Sequence, residues 1–450
     1  MKKTNSLIYP FLVGFLLLTG CKGDFLEEKP QKSLLVPTTL TDFQALLDNG
    51  QALMNTAPYQ SILSDGDFQM SESFFAGQSQ LNQNSYIWAD QPEMTLPGWD
   101  TPYRQVFTCN VVLDGLAKLD KDLWHTPQYE SVKGSALFFR AFAFYQLAQL
   151  FSPAYQPGSE GIGLGIPLPL QADVNLKHPR SSVRQTYERI LDDLMQAEPL
   201  LPLKPVYISS PGKPAALALL ARTTLSMQDY PGALSYAEKC LALKSELLDY
   251  ATLAAASAVP FPHPFALGNP EMLFYSRMAV SYFENPAFTV DTTLYASYAS
   301  GDLRKPLYFG TGLNYKGSYT SNQYPFAGLS TDETYLIKAE CLARTGQSQA
   351  AMKTLNAMLE KRWAKNSFKE LTAGSPEQAL KLILAERRKE LVGRGMRWAD
   401  LKRLNQDPQF AQVLTRTIQK KIYTLPPGGE RYQFKIPDDQ TYEGTVVQNP

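Results

Sequence analysis

The sequence predicts a mainly α fold: a tetratricopeptide-like scaffold of helical pairs, interrupted by long irregular loop insertions and a few short strands. Three observations predict it. Apolar residues recur with helical period in separate blocks along the 450 residues. Between the blocks lie stretches rich in Pro and Gly, with 32 prolines in all. Two of the blocks, 217–240 (LALLARTTLSMQDYPGALSYAEKC) and 335–358 (YLIKAECLARTGQSQAAMKTLNAM), also resemble each other. Aligned, they match Ala221 to Ala339, Leu225 to Ala343, Ala233 to Ala351 and Cys240 to Met358. In each block two small residues stand 12 positions apart, the spacing at which the paired helices of a tetratricopeptide unit approach.

The chain opens with Lys2 and Lys3, followed by an apolar run from Leu7 to Leu18. That run is shorter than the ~20 residues that span a bilayer, so residues 1–20 read as a secretion signal. Leu18-Thr19-Gly20-Cys21 matches the bacterial lipobox, which makes Cys21 the acylated residue. Residues 21–36 then form a lipidated tether, and 37–450 a single body. The most apolar later segment, 136–151, carries Arg140, Gln146 and Gln149 and reads as an amphipathic helix, not a membrane span.

Within the body, Thr41-Asp42 caps a short helix that ends before Asn49-Gly50. Residues 51–98 lack sustained periodicity and read as loop, with Trp88 on a short strand. Helices follow at 99–119 and 129–151. The stretch 152–180 reads as loop, and its glycine run is GxGxG with a proline where a phosphate-binding helix would start, which argues against a nucleotide site. Ser181-Ser182 caps a helix through Ala197. The scaffold therefore occupies mainly 99–151, 181–245 and 331–405. Leu384, Leu391 and Trp398 fall every seventh residue, so Glu386 to Arg403 reads as a capped helix and a glycine turn that seats Trp398. Glu386, Arg387, Lys389 and Glu390 are expected to decorate its sides.

Lys+Arg and Asp+Glu number 43 each, which provides no basic face for nucleic acid. Cys109, Cys240 and Cys341 lack metal-binding spacing and sit where small apolar residues fit, so they read as core thiols. The three histidines lack any such spacing too, and neither a cofactor nor a metal site is expected. Asp65 and Asp67, with Glu72 nearby, are the acids clustered in a candidate ligand loop. A glycosidase would need two such carboxylates, but either can equally bind a hydroxyl or a turn amide.

The aromatic residues are unevenly placed. Residues 246–330 hold 16 of them in 85 positions, against 36 in the remaining 365, and only 10 charged residues. They lie beside Gly, Pro, Ser and Asn without helical spacing, as rings that stack on sugars would. A second group, Phe68, Phe74, Phe75, Tyr86 and Trp88, sits among Ser, Gln and Asn. The candidate ligand-binding residues are accordingly Asp65, Asp67, Tyr86, Trp88, Tyr275, Tyr282, Tyr315 and Tyr319, on ligand-side loops 51–98 and 246–330.

Several stretches carry a family resemblance. They are Cys21 followed by Asp24 to Pro30 (DFLEEKP), Gly165 to Leu168 (GIPL), Ser181 to Tyr187, the repeat-like blocks, Glu386 to Leu391 (ERRKEL), Gly395 to Arg403 (GMRWADLKR), Phe434 to Pro437 (FKIP) and the end at Gln448 to Pro450. In order, these resemble the SusD/RagB family of outer-membrane nutrient-binding lipoproteins. The chain departs from the pattern at Gly393-Arg394, where members often have Phe-Glu, and at Gln440, where a glutamate is common. The resemblance implies a non-catalytic glycan-binding lipoprotein, lipid-anchored and facing the cell exterior. It would capture poly- or oligosaccharide and deliver it to a SusC-like TonB-dependent transporter. Its ligand site would be built from roughly 60–90 and 270–330. The RagB branch suggests the same role for oligopeptides, and a scaffold for envelope assembly is the further alternative.

Overall fold

The computed structural model describes residues 37–90, 96–158, 163–266, 268–441 and 444–450. Cys21, the signal and the tether lie outside the described residues. From Thr39 onward the chain forms one compact unit. Helix α1 (Leu40–Leu47) starts two residues earlier than expected, because Thr39 is its cap. The Thr39 hydroxyl accepts from Asp42 N, and the Asp42 carboxylate accepts from Thr39 N at 2.9 Å, a reciprocal capping box.

The helical array is as predicted. It comprises α3 (Pro97–Leu116), α4 (Pro127–Phe151), α5 (Val183–Leu200), α6 (Lys213–Ser226), α7 (Tyr230–Leu243), α8 (Thr331–Arg344), α9 (Ser348–Leu359), α10 (Pro376–Glu390) and α11 (Met396–Leu404), with α2 (Gln80–Ile87) before them. From α3 to α9 each helix packs on the next, and α8 also packs on α10. The matched alanines Ala221, Ala233, Ala339 and Ala351 are all fully buried at the helix crossings. Their side chains are small enough to bring the backbones together.

Residues 51–98 are less loop-like than expected. They contain short helices Gln60–Ser64 and Glu72–Ala76 as well as α2, the last two capped by the hydroxyls of Ser71 and Ser79. Runs of five to eight residues are too brief for periodicity to register, and the capping serines resemble loop composition. Trp88 is not on a strand: it ends α2 in the left-handed conformation, φ 56°.

The described strands form two-stranded ladders, three of which tie distant segments together. Thr56–Ala57 runs parallel to Arg277–Met278, and Phe68–Met70 runs antiparallel to Phe288–Val290 with Phe68 opposite Val290. Met272–Phe274 pairs with Leu329–Ser330, closing the insertion onto the start of α8. The segments 56–70 and 272–290 are thus held side by side despite some 220 residues between them.

The core has two large parts. One lies among α1 and α3–α6 and includes Phe138, Phe142, Phe151 and Trp398. The other is the insertion itself, where Phe68, Tyr250, Phe283, Phe288, Tyr308, Tyr315 and Tyr319 pack together. Cys109, Cys240 and Cys341 are buried free thiols, as read from the sequence.

Candidate functional site

The expected aromatic platform is, for the most part, this second core. Of the eight candidate ligand residues, seven are buried and only Tyr282 is partly exposed. Phe68 stacks on Phe288 at 5.2 Å and meets Tyr315 edge-on at 6.0 Å, while Phe283 lies 4.9 Å from Tyr315. The Tyr315 hydroxyl donates to Gly317 O. Tyr275 packs against Phe265 at 4.8 Å. Loop chemistry in the sequence hid this packing, because the partners of each ring lie on other segments.

Tyr319 stands between charges. Its hydroxyl can donate to Glu271 or, at 3.2 Å, to Asp332 and accepts from Tyr250 at 2.7 Å, which in turn meets Tyr308 at 2.9 Å. Around it, Arg362 joins Glu271 and Glu390 at 2.7 Å each, Arg304 joins Asp302, Glu386 and Glu390, and Arg394 joins Asp332. Glu386, Arg387 and Glu390 are therefore buried, not decorative as their helical spacing suggested. Their partners Arg304, Arg362 and Asp400 come from outside the helix, and a single helix pattern cannot show them. Burial pushes the Glu271 carboxyl up to about 7, against the pull of Arg362, whereas Arg394 and Arg362 hold Asp332 down to about 2 despite its burial.

The two acids of the N-terminal loop are also committed internally. Asp65 accepts from Asp67 N at 2.9 Å, and Asp67 pairs with Arg388 at 2.8 Å. Burial, then the neighbouring Asp67, raises the Asp65 carboxyl well above the usual range. Tyr86 accepts from Met70 N, and Trp88 Nε1 donates to Ser64 O. The Arg416 guanidinium lies 3.6 Å from the Tyr86 ring centre and 4.7 Å from that of Trp88. All four residues hold the fold of 60–90 and present no free face.

What the paired ladders do present is a half-exposed aromatic group at their edge. Tyr59, Phe74, Phe75 and Tyr282 are all partly exposed. The Tyr282 hydroxyl accepts from the Asn82 amide, and Asn82 Oδ1 accepts from the Tyr59 hydroxyl at 3.1 Å. Phe74 meets Tyr282 edge-on at 5.5 Å. Burial, then Tyr282, pushes the Tyr59 phenol up to about 12, so both phenols stay neutral donors and acceptors. Gln78 donates to the Phe74 carbonyl at 3.1 Å, beside this group. Apolar rings beside neutral amides can hold a polar, uncharged molecule with ring-shaped apolar faces. Tyr59 and Asn82 escaped the sequence reading because each stands singly beside Pro58 or inside a polar helix.

A second concave feature lies elsewhere. A cavity of about 750 Å³ runs between α3 and the loop 167–178, with Asp439, Gln440, Thr445 and Val446 at one end. Trp99, Tyr103 and Phe107 line it at spacings of four along α3, and Phe107, Val174 and Leu176 are exposed. Tyr103 donates to Pro167 O, and Asn110 donates to Pro169 O and Gln171 O, which fixes the facing loop. Trp99 is buried and Tyr103 half-buried, while Phe107 at the outer end of the stripe is exposed.

Comparison with known proteins gives a consistent result. Residues 24–225 match a SusD-like family model described as starch-binding and associating with the outer membrane, and residues 303–446 match the SusD family model. A SusD-like protein of Formosa agariphila is 26% identical over 238 residues, 51% of this chain. The match spans 44% of that relative's length. Among solved structures, a SusD superfamily protein from Bacteroides vulgatus superposes with a TM-score of 0.73 at 23% identity, covering 92% of this chain and 99% of its own. Another from Bacteroides thetaiotaomicron gives 0.72 at 20%, covering 92% and 100%. A SusD-like carbohydrate-binding protein of B. vulgatus gives 0.65 at 20%, covering 90% and 96%. At these identities the likeness to solved structures is one of fold.

Proposed function

Because this chain belongs to the SusD family, we propose that it is a cell-surface glycan-binding lipoprotein of the outer membrane, which captures a poly- or oligosaccharide and passes it to a TonB-dependent transporter. The observation that carries this reading is the edge where 56–83 and 277–290 are laced together. There Tyr59, Phe74, Phe75 and Tyr282 keep exposed ring surface next to the Asn82 amide. The phenols of Tyr59 and Tyr282 and the Asn82 amide offer neutral hydrogen-bonding groups at this edge, and the commitment of Asp65 and Asp67 to internal bonds favours binding over hydrolysis. Cys21 would supply the anchor, in keeping with the absence, among the described residues, of any helix long and apolar enough to cross a membrane.

The α3 cavity offers a second location for the same function, favoured by its volume, which lies within the ~300–1,000 Å³ usual for small-ligand sites. A calorimetric panel of neutral and acidic polysaccharides, oligosaccharides and oligopeptides, run on the purified protein with Tyr282→Ala and Phe107→Ala variants, tests both. Binding of a glycan that weakens with Tyr282→Ala supports the laced edge, and loss with Phe107→Ala alone moves the site to the cavity. Binding of peptides and of no glycan refutes the glycan reading.

A further inference from the structure

Where α4, the turn 57–61 and the start of α11 meet lies a small, partly open cavity of about 60 Å³. Its lining includes Gln146 of α4, Arg222 of α6, and Arg394, Gly395 and Trp398 at the entry to α11. Four polar atoms of these residues have no hydrogen-bond partner: Arg394 Nη2, Trp398 Nε1 and both amide atoms of Gln146. Arg394 is 5% exposed and Trp398 0%, so water outside the protein does not serve them.

The same cavity receives a helix terminus. α11 begins at Gly395 without a side-chain cap. Its first-turn amides have no intrahelical acceptor, and they carry the positive end of the helix dipole. Gly395 is held here at φ +69°, and a Cβ at this position would lie 2.3 Å from Met278 Cε and 3.0 Å from Ser61 Oγ. The backbone thus approaches the turn as closely as the chain allows.

The charges nearby are otherwise matched. Arg222 is spent on Glu333 and Gly328 O, and Arg394 Nη1 on Ser330 and Asp332. One edge of the Arg394 guanidinium is left, together with an indole N–H, an amide N–H and the uncapped amides. Against these donors stand few side-chain acceptors among the described residues, Gln146 Oε1 and the Ser61 hydroxyl foremost. A water placed here would accept two bonds but would need acceptors for its own two protons. An anion accepts from every donor and needs no acceptor. The volume suits one or two species of water size, for which a share of about 30 Å³ each is usual, and it excludes a sugar ring.

We propose that this cavity binds a small monovalent anion, a halide or a carboxylate the size of formate. Arg394 Nη2, Trp398 Nε1, Gln146 Nε2 and the first-turn amides of α11 would hold it. The test is thermal unfolding of the full chain at fixed pH and ionic strength, with chloride, bromide or formate replacing gluconate. Bromide-soaked crystals, read by anomalous scattering, accompany it. The unfolding midpoint should rise with the logarithm of anion concentration, and a rise with formate but not bromide assigns the carboxylate. Halide binding should place an anomalous peak between Arg394 and Trp398. Gln146→Leu, which leaves the Arg394–Asp332 pair intact, should weaken the apparent affinity roughly tenfold. Identical midpoints in gluconate and in all three anions, with no bromide peak, overturn the proposal. A response undiminished in Gln146→Leu overturns the assignment of its donors.

Discussion

Replacing Glu271 by glutamine removes one ionisable group from the centre of the molecule and leaves its shape. Glu271 Oε1 accepts from Leu248 N at 3.0 Å and from Arg362 Nη2 at 2.7 Å, while Oε2 faces the Tyr319 hydroxyl. A glutamine can keep its carbonyl on the first two and turn its amide to Tyr319, whose own proton then goes to Asp332 at 3.2 Å. Burial, partly offset by Arg362 and reinforced by Asp332 and Glu390, pushes the carboxyl from 4.5 up to about 7. A carboxyl that binds its proton more tightly in the folded state stabilises the fold where it is protonated. Its contribution is therefore full below about 4.5 and is lost as pH rises through about 7. At ~1.36 kcal/mol per pK unit the whole window is worth about 3 kcal/mol, most of it between about pH 5 and pH 8. Urea denaturation of wild type and Glu271→Gln at those two pH values reads the group together with its coupling to Asp332 and Glu390, the more distant titrations being common to both. The wild type should lose about 2–3 kcal/mol more than the variant on going to the higher pH. Parallel pH profiles, or a wild type that gains relative to the variant, refute the reasoning.

Three further outcomes follow from individual contacts. Tyr282→Ala should weaken glycan binding by about 1 kcal/mol, several-fold in affinity by calorimetry, with little change in melting temperature because the ring is only half-buried. Lys402→Met should destabilise the fold by about 1–3 kcal/mol in urea. It strips the Lys402 Nζ donor from the carbonyls of Gln149 and Ser152, at 2.7 and 2.6 Å, which close the last turn of α4. Gly395→Ala should cost at least about 1–2 kcal/mol in the same assay, since φ +69° is unfavourable for any residue with a Cβ. The contact with Met278 adds to that cost.

The helical array was legible because its signal is local. Ala221 and Ala233, or Ala339 and Ala351, sit in one helix pair, and the same short stretch that forms the pair also shows the spacing. The insertion was legible in extent but not in orientation. Phe68 owes its burial to Phe283 and Phe288, and Tyr319 owes its burial to Glu271 and Asp332. No window of sequence contains both members of such pairs, and rings beside Gly and Asn look alike whether they face a ligand or a core. The buried charges were misread for the same reason. Glu386 and Glu390 are four apart on α10, a pattern that solvated helix faces also show, and only Arg304, some 80 residues upstream, distinguishes the two.

This inversion alters how the ligand-side region should work. Its tyrosines join the insertion to the scaffold: Tyr250, Tyr308 and Tyr319 hydrogen-bond one another. Tyr319 reaches Asp332 of α8, and Tyr308 reaches the Glu390 carbonyl of α10. Arg304 of the insertion and Arg362 beyond α9 bind the same Glu390 carboxylate. A segment tied at that many buried points cannot reshape around a ligand without exposing charged groups to unpaired burial, which is costly. The rings at its edge are consequently presented in fixed positions. A fixed face spends little of its binding energy on ordering side chains, which suits it to the binding role proposed above. The aromatic excess thus does most of its work beneath the surface, as the support of a small exposed set, Tyr59, Phe74, Phe75 and Tyr282.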